Sequence, residues 1–409
     1  MDRIGQLRVE VFDESGSRPV PGATVSISEE NNPGNVVEQM ITDDSGESTS
    51  INLTTPPLDY SLEPGSPRPY ADYRVQVQME GYSPVQVDGV QILPEVTAIQ
   101  NIYMHPLREA QDLRETVVIP DHTLYGIFPP KIPEEEVKPL RPATGFVVLD
   151  EPVIPEFIVV HEGRPSAAAP NRWIPFKDYI KNVASSEIYA TWPDATIRAN
   201  VLCILSFTLN RVFTEWYRGK GYDFTITNST AYDQAFVYGR NIYSEISQVV
   251  DEMFTNYITR PNIRQPLFAQ YCDGQRVSCP TWLSQWGSKN LGDSGYNAVS
   301  ILRNYYGSDI YLMQARVVSG VPVSFPGANL QVGSTGAAVR TIQEQLNTIS
   351  NNFPALPKLR VDGVFGQATR ATVEKFQEVF NLPPSGIVDF PTWYRISDIY
   401  TSVARLAEL

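Results

Sequence analysis

A chain of 409 residues is too long for one ordinary hydrophobic core and implies two to four domains. Its 42% hydrophobic and 19% charged residues are those of a globular protein, and a formal net charge of -14 argues against nucleic acid as a partner. The acidity is uneven: residues 1–149 hold 10 Lys and Arg against 23 Asp and Glu, whereas residues 150–409 hold 22 against 23. Such a split fits either a solubilising acidic domain or a removable acidic segment on a near-neutral working part.

The start, Met1-Asp-Arg-Ile-Gly-Gln-Leu, has no apolar leader, and no stretch approaches the ~18 apolar residues of a membrane span, so neither a signal peptide nor a membrane anchor is expected. From Gln6 to Leu107 the chain reads as short alternating strands. Leu7-Arg-Val-Glu-Val-Phe alternates, Asp13-Glu-Ser-Gly turns, Val20-Pro-Gly-Ala-Thr-Val-Ser-Ile resumes, and Tyr73-Arg-Val-Gln-Val-Gln-Met follows a second turn at Asp43-Asp-Ser-Gly. Turn-punctuated strands at this spacing predict a small β-sandwich over 1–107. Val20-Pro-Gly-Ala-Thr-Val and the Gly81-Tyr pair resemble the carboxypeptidase regulatory-like domain, which implies a noncatalytic module.

Residues 108–156 repeat proline every few positions, as in Pro129-Pro-Lys-Ile-Pro and Glu151-Pro-Val-Ile-Pro. Proline favours extended backbone and removes amide donors, so this stretch is expected to be an exposed linker of the kind proteases cut.

Helical periodicity begins beyond it. Asp194 is expected to cap a helix whose stripe runs through Ile197, Val201, Leu205, Leu209 and Val212 to Gly219. Further helices are expected over 241–257 and 297–306, with a buried strand at Leu267-Phe-Ala-Gln-Tyr-Cys, an α+β arrangement spanning about 157–320. Of three cysteines, Cys203, Cys272 and Cys279, the latter two lie close enough in sequence to pair, but free thiols are the expected state.

The C-terminal unit, 327–409, carries one apolar helical face at Ala338, Val339, Ile342, Leu346 and Ile349 and another at Val373, Phe376 and Phe380. Asp362-Gly-Val-Phe-Gly separates them, with Thr369 expected to start the second helix. Leu330-x-x-Gly-x-x-Gly, Asp362-Gly-x-Phe-Gly-x-x-Thr and Gly386-x-Val-Asp-x-x-Thr-Trp393 resemble the three-helix peptidoglycan-binding domain, which implies peptidoglycan as a partner.

Beyond His161 the remaining 248 residues contain no histidine. A Ser-His-Asp hydrolase, a Cys-His nucleophile and an imidazole-ligated zinc site are therefore excluded there, and proton transfer in this region falls to carboxylates. Of eleven acidic candidates most have structural explanations: Asp194 as a cap, Asp251 and Glu252 on a solvated helix face, Asp223 and Asp273 in turns. Glu187 differs, because Val183-Ala-Ser-Ser-Glu-Ile-Tyr-Ala-Thr-Trp sets it among apolar residues whose desolvation raises a carboxyl pKa toward the range of a general acid.

Phe176-Lys-Asp-Tyr-Ile-Lys-Asn-Val-Ala-Ser-Ser-Glu resembles the segment of the stage II sporulation protein D family that ends on the catalytic glutamate, here Glu187. Tyr222-Asp, Gln234, Tyr238-Gly, Leu267-Phe-Ala-x-x-Cys-x-Gly, Leu283-Ser-Gln-Trp-Gly-Ser and Ile301-Leu-Arg-Asn-Tyr-Tyr follow in that family's order. The resemblance implies a peptidoglycan lytic transglycosylase with Tyr222, Gln234, Ser284, Gln285 and Tyr305 positioning substrate. The family's Cys/His metal pair is missing from Thr225-Ile-Thr-Asn-Ser-Thr-Ala-Tyr-Asp, so no metal and no cofactor is expected. Its arginine before Ser206 is replaced by Leu205, with Arg211 as a candidate substitute.

The complete order of parts resembles the SleC-type spore cortex-lytic enzymes of clostridia. That implies a spore-located proenzyme acting on cortex peptidoglycan during germination and activated by a subtilisin-like germination protease cutting between about Pro130 and Asp150, with Val147 or Val148 as the new N-terminus. A noncatalytic amidase activator is the expected rival, and a phage-type lysin a further one.

Overall fold

The computed structural model describes residues 3–14, 18–107, 114–138, 151–317, 328–380, 382–389 and six positions between 392 and 400. The N-terminal strands are β1 (Arg3–Asp13), β2 (Thr24–Glu29), β3 (Val36–Ile41), β4 (Ile51–Thr55), β5 (Ala71–Gln78), β6 (Val85–Ile92), β7 (Thr97–Met104) and β8 (Glu115–Val118), with the short helix α1 (Asp59–Leu62) between β4 and β5. In β1, Leu7, Val9 and Val11 are all buried, as the period-2 alternation demands, and each such side chain contributes roughly 1.5–3 kcal/mol on leaving water. Five strands form one sheet in the order β3-β2-β5-β6-β8.

The central part contains β9 (Val153–Ile154), β10 (Phe157–His161), β11 (Asn171–Pro175), α2 (Phe176–Glu187), α3 (Asp194–Phe213), β12 (Ile226–Thr227), β13 (Ile242–Tyr243), α4 (Ser244–Met253), β14 (Asn256–Thr259), β15 (Tyr271–Cys272), β16 (Leu283–Ser284), α5 (Gln285–Asp293), α6 (Ala298–Tyr306), β17 (Tyr311–Gln314) and β18 (Arg316–Val317). Its axis is α3, buried along nearly its whole length because it is apolar all round and is wrapped by α2, α4, α5, α6 and β14. Asp194 does not cap this helix: Pro193 occupies the cap position, and the Asp194 carboxylate accepts from Arg198 one turn on, at 2.7 Å. The helix expected from 241 instead begins at Ser244, because Ile242 and Tyr243 pair antiparallel with Ile99 and Ala98 of β7.

That pairing joins the two parts. The second N-terminal sheet runs β13-β7-β1-β4, so a central strand completes it. The Asn241 side chain closes a two-point bond on Gln91, accepting from its N–H at 3.0 Å and donating to its carbonyl at 2.9 Å. The Trp192 indole donates to the Ser61 carbonyl at 2.9 Å, and one continuous apolar core includes both Val9 and Leu205.

Part of the expected linker also differs from an exposed spacer. Residues 115–118 form β8; of residues 119–138, called the strap below, 119–122 bond to the N-terminal part, 123–126 turn, and the rest runs without regular structure over the central part. Pro129, Pro130 and Pro133 supply no amide donors, so the strap forms no ladder and is held by side chains and by isolated backbone bonds such as Ile132 N–H to the Ala231 carbonyl at 2.7 Å. Gln270 accepts from Glu134 N–H at 2.9 Å and donates to the Ile132 carbonyl at 2.9 Å. Gln265 treats both backbone groups of Lys138 the same way, each at 2.9 Å. The strap thus satisfies its inner backbone groups without becoming a strand. Pro139, Leu140 and the stretch up to Asp150, including Val147 and Val148, lie outside the described residues.

The C-terminal unit has its own core around Val339, Ile342, Leu346, Phe365, Phe376 and Trp393, built on α7 (Ala337–Asn352) and α8 (Gln367–Val379) with helical residues at 392–393, 395–396 and 399–400. The second helix starts at Gln367 rather than Thr369. Gln343 links the two by accepting from Gly363 N–H at 2.8 Å and donating to the Val364 carbonyl at 3.0 Å.

Candidate functional site

On α2 the residues Tyr179, Val183 and Glu187 recur at four-residue spacing and share the buried face, so the helix carries its last carboxylate inward. Ile188 is extended, which ends the helix there. Glu187 is 4% exposed. One carboxylate oxygen, Oε1, accepts from Ala235 N–H at 2.8 Å, and Oε2 accepts a short bond from the Tyr271 hydroxyl. Burial pushes the Glu187 carboxyl above the ordinary glutamate value, against the opposing pull of the Lys131 ammonium, the Tyr271 bond and the Ala235 amide.

Tyr271 arrives from β15, which pairs in parallel with β16 and so sets Leu283 and Ser284 beside it. The candidate residues named from sequence fall into four groups. Gln285 donates to the Glu187 backbone carbonyl at 3.0 Å and lines the same cavity. Gln234 lies one layer deeper, fully buried. Its amide oxygen accepts from Tyr179 at 3.0 Å and Thr208 at 2.7 Å, and its nitrogen donates to the Tyr271 oxygen at 3.2 Å. That geometry orients Tyr271 and leaves Gln234 no face for a ligand. Ser284 caps α5, accepting from Gly287 N–H at 2.9 Å, and shares a hydrogen bond with half-buried Tyr305. A side chain at Gly287 would meet the Tyr305 hydroxyl at 2.3 Å, which explains glycine in the Ser-Gln-Trp-Gly run.

Tyr222 belongs to a different place. It stacks in an aromatic patch with Tyr217 and Phe224, ring centroids 6.2 and 5.1 Å away, over Val159 of β10. The structure therefore gives it a packing role instead of a place beside Glu187.

Arg211 is fully buried as well. Its Nε donates to Asp233 Oδ1 at 2.7 Å, and its two terminal nitrogens grip Glu134 of the strap at 3.1 and 2.6 Å. As it stands, Arg211 is not open to substrate.

Cys272 and Cys279 form a disulfide, correcting the expectation of free thiols; their Cα atoms are 5.7 Å apart. Asp273 folds the loop between them by accepting from the amides of Gln275, Arg276 and Val277. Gly274 there has φ +75°, and a side chain would collide with Ser284 Oγ. The loop presents Arg276, which donates to the carbonyls of Leu124 and Gly126 in the strap.

The cavity at Glu187 measures only about 80 Å³, and Phe128, Pro129, Pro130 and Lys131 of the strap form one wall opposite Tyr271 and Gln285. Lys131 donates to the Asp233 carbonyl and lies over the Tyr271 and Phe207 rings, 4.7 and 4.9 Å from their centroids. Lys131 and Tyr271 are the site residues that local sequence patterns missed. Tyr271 was visible only as part of an apolar strand, and Lys131 as part of a spacer. Among the described residues no three of His, Cys, Asp and Glu converge as a metal set, and no helix is long and apolar enough to cross a membrane.

No curated protein matches the chain. Among solved structures, the SleB N-terminal domain aligns at 29% identity over 18% of this chain and 93% of its own, with a TM-score of 0.16. Klebsiella pneumoniae 5-hydroxyisourate hydrolase aligns at 17% identity over 25% and 91%, with a TM-score of 0.18. The minor pilin of Streptococcus agalactiae aligns at 16% over 27% and 48%, with a TM-score of 0.19. Superpositions this poor carry no argument about fold or function. Residues 335–396 match the family described as putative peptidoglycan binding domain. The molecule is a mixed α/β multidomain protein whose C-terminal helical unit is of the peptidoglycan-binding kind.

Proposed function

We propose that this chain is the proenzyme of a lytic transglycosylase acting on spore cortex peptidoglycan. The observation that carries the reading is a buried carboxyl, Glu187, with a raised pKa and two fixed donors, beside a cavity walled by the strap. In the mechanism, the Glu187 carboxyl gives its proton to the glycosidic oxygen between N-acetylmuramic acid and N-acetylglucosamine as the C1–O bond breaks. The muramic 6-hydroxyl then attacks C1, its proton passes to the Glu187 carboxylate, and a 1,6-anhydro ring closes. One carboxylate suffices because the substrate supplies the nucleophile, whereas hydrolysis ordinarily needs a second. Asp273 is committed to loop amides and Asp233 to Arg211, Tyr217 and Thr227, which favours the single-carboxylate route.

Ser284, Gln285 and Tyr305 are the proposed substrate-positioning residues, and Gln234 acts through Tyr271. The strap supports the proenzyme reading. Ligand pockets commonly run to ~300–1,000 Å³, so a glycan needs Phe128–Lys131 to move before it reaches Glu187. Cleavage by a subtilisin-like germination protease near 139–150 would cut the strap's C-terminal tether. The N-terminal sheet shares a strand and a core with the central part, so the cut loosens the strap first and the acidic part leaves later.

The test is mass spectrometry of cortex incubated with the purified chain, uncut and cut within 139–150. Anhydromuropeptides should appear with the cut chain and fall ~10²–10⁴-fold in Glu187→Gln, the range for losing a general acid. No new glycan ends from either form would favour the rival noncatalytic amidase activator.

A further inference from the structure

The strap enters the central part through charged side chains as well as backbone: Glu134 and Glu136 meet arginines there, and Lys138 pairs with Glu134 within the strap. Glu136 pairs with Arg260, Lys138 lies 3.8 Å from the Phe268 ring centroid, and Glu134 takes both terminal nitrogens of Arg211. The Arg211 pair is unlike the others. Asp233, itself unexposed, locks the Nε edge and is locked in turn by Tyr217 at 2.6 Å and by the Thr227 amide and hydroxyl at 2.9 and 2.7 Å. Phe268, Phe207, Trp216 and Tyr217 surround the guanidinium, with centroids 4.3–5.4 Å from its central carbon. The fork is therefore held in place by groups of the central part alone, and only its outward donors depend on the strap. A guanidinium fork presented this way matches a carboxylate in plane and in spacing.

We propose that Arg211 is the anchor of a carboxylate-binding subsite, filled in this structure by Glu134 and, once the strap is withdrawn, by a carboxylate of peptidoglycan. The inference rests on the proenzyme reading above and adds a ligand class to it. Two features connect the subsite to the cavity at Glu187, which Lys131 lines. Lys131 and Glu134 are three residues apart on the strap, and Asp233 binds Lys131 through its carbonyl and Arg211 through its carboxylate. Withdrawing the strap turns the outward Arg211 donors toward the opened cleft, so a replacement carboxylate has a defined role. The chemistry has two sources in peptidoglycan, the lactyl carboxylate of muramic acid that carries no peptide and the free carboxylates of the stem peptide.

The experiment uses the full-length chain carrying a specific protease site within 139–150, cut but not separated. Hydrogen exchange of residues 128–138 reports strap withdrawal, since the Ile132, Glu134 and Lys138 amides are hydrogen-bonded to the central part. The probes are a disaccharide tetrapeptide with free carboxylates, the same molecule fully amidated, and a peptide-free disaccharide bearing only its lactyl carboxylate. A free-carboxylate probe should open the strap at a concentration at least ~10-fold below the amidated one. Glu134→Gln, which weakens the competing strap, should lower that concentration further, and Arg211→Lys should abolish the preference. Displacement by the lactyl disaccharide assigns the lactyl group as the source; displacement by the tetrapeptide alone assigns the stem. Equal concentrations for free and amidated probes, or no displacement by any probe even in Glu134→Gln, overturns the subsite. Should Arg211→Lys unfold, the Glu134→Gln comparison decides alone. Glycan cleavage with no carboxylate preference sinks the subsite and spares the catalytic reading. A preference without Glu187-dependent cleavage does the reverse.

Discussion

At Glu187, burial ties folding stability and the proposed proton donation to one titration. Its carboxyl is held above the ordinary value of 4.5, so the folded state favours the protonated form. A group raised in this way contributes stability that is fully present below its unfolded pKa and is lost as pH rises through the folded one. At neutral pH the ionised carboxylate is therefore a burden on folding, and Glu187→Gln should melt higher than wild type at pH 7 but not at pH 3, as thermal denaturation across pH would show. Activity has the same sign: a general acid works while protonated, so cleavage should fall as pH rises through the Glu187 pKa. Tyr271→Phe removes a bond that holds that pKa down. It should move the alkaline limb of the pH–rate profile upward while lowering kcat by roughly 10-fold, through loss of one orienting bond. A downward shift would mean that Tyr271 does not donate to Glu187.

At the scale of elements, the fold places its charges where local pattern predicts apolar contact. Helix α3 reads as a broad hydrophobic stripe, and its many apolar residues do pack inside, but Arg211 near its C-terminus is buried too. Burial is tolerated because Asp233, on the segment between β12 and β13, meets it in the same layer. Removing one partner of a buried pair leaves the other uncompensated, so Asp233→Ala should cost about 3–5 kcal/mol in denaturant unfolding. By contrast, Tyr222→Leu in the aromatic patch over β10 should leave any glycan cleavage unchanged. The apolar residues on either side of Glu187 in sequence made its burial legible. Its donors were not legible, because Ala235 and Tyr271 lie 48 and 84 residues further along and no local periodicity records which strand passes the end of a helix.

At the scale of the molecule, two cores are separate. The central part and N-terminal sheets share one, and the C-terminal unit around Trp393 has another. Energies of sites without shared neighbours add independently. Trp393→Ala should therefore destabilise the C-terminal unit alone by ~3–5 kcal/mol. Calorimetry should show one transition moving while the other stays, and pelleting of the chain with insoluble peptidoglycan should weaken. A common shift of all transitions would contradict two cores. The acidic charge of the first third has a structural counterpart: that third is welded to the central part through β13 and Asn241, so its removal exposes a sheet edge as well as the strap's site.

Composition, alternation and glycine placement sufficed for the β-rich first third, for the helical faces of the C-terminal unit and for the burial of Glu187 among apolar neighbours, because those properties reside in neighbouring residues. The match of residues 335–396 to the peptidoglycan-binding family rests on the same local spacing. Only the tertiary structure decided that Cys272 and Cys279 join, that Tyr222 packs away from Glu187, that Arg211 is already occupied, and that a proline-rich stretch is a strap over the candidate site. Each of those depends on which distant segments meet. Long-range pairing is set by the total burial and hydrogen bonding of the folded chain, and no window of sequence contains it.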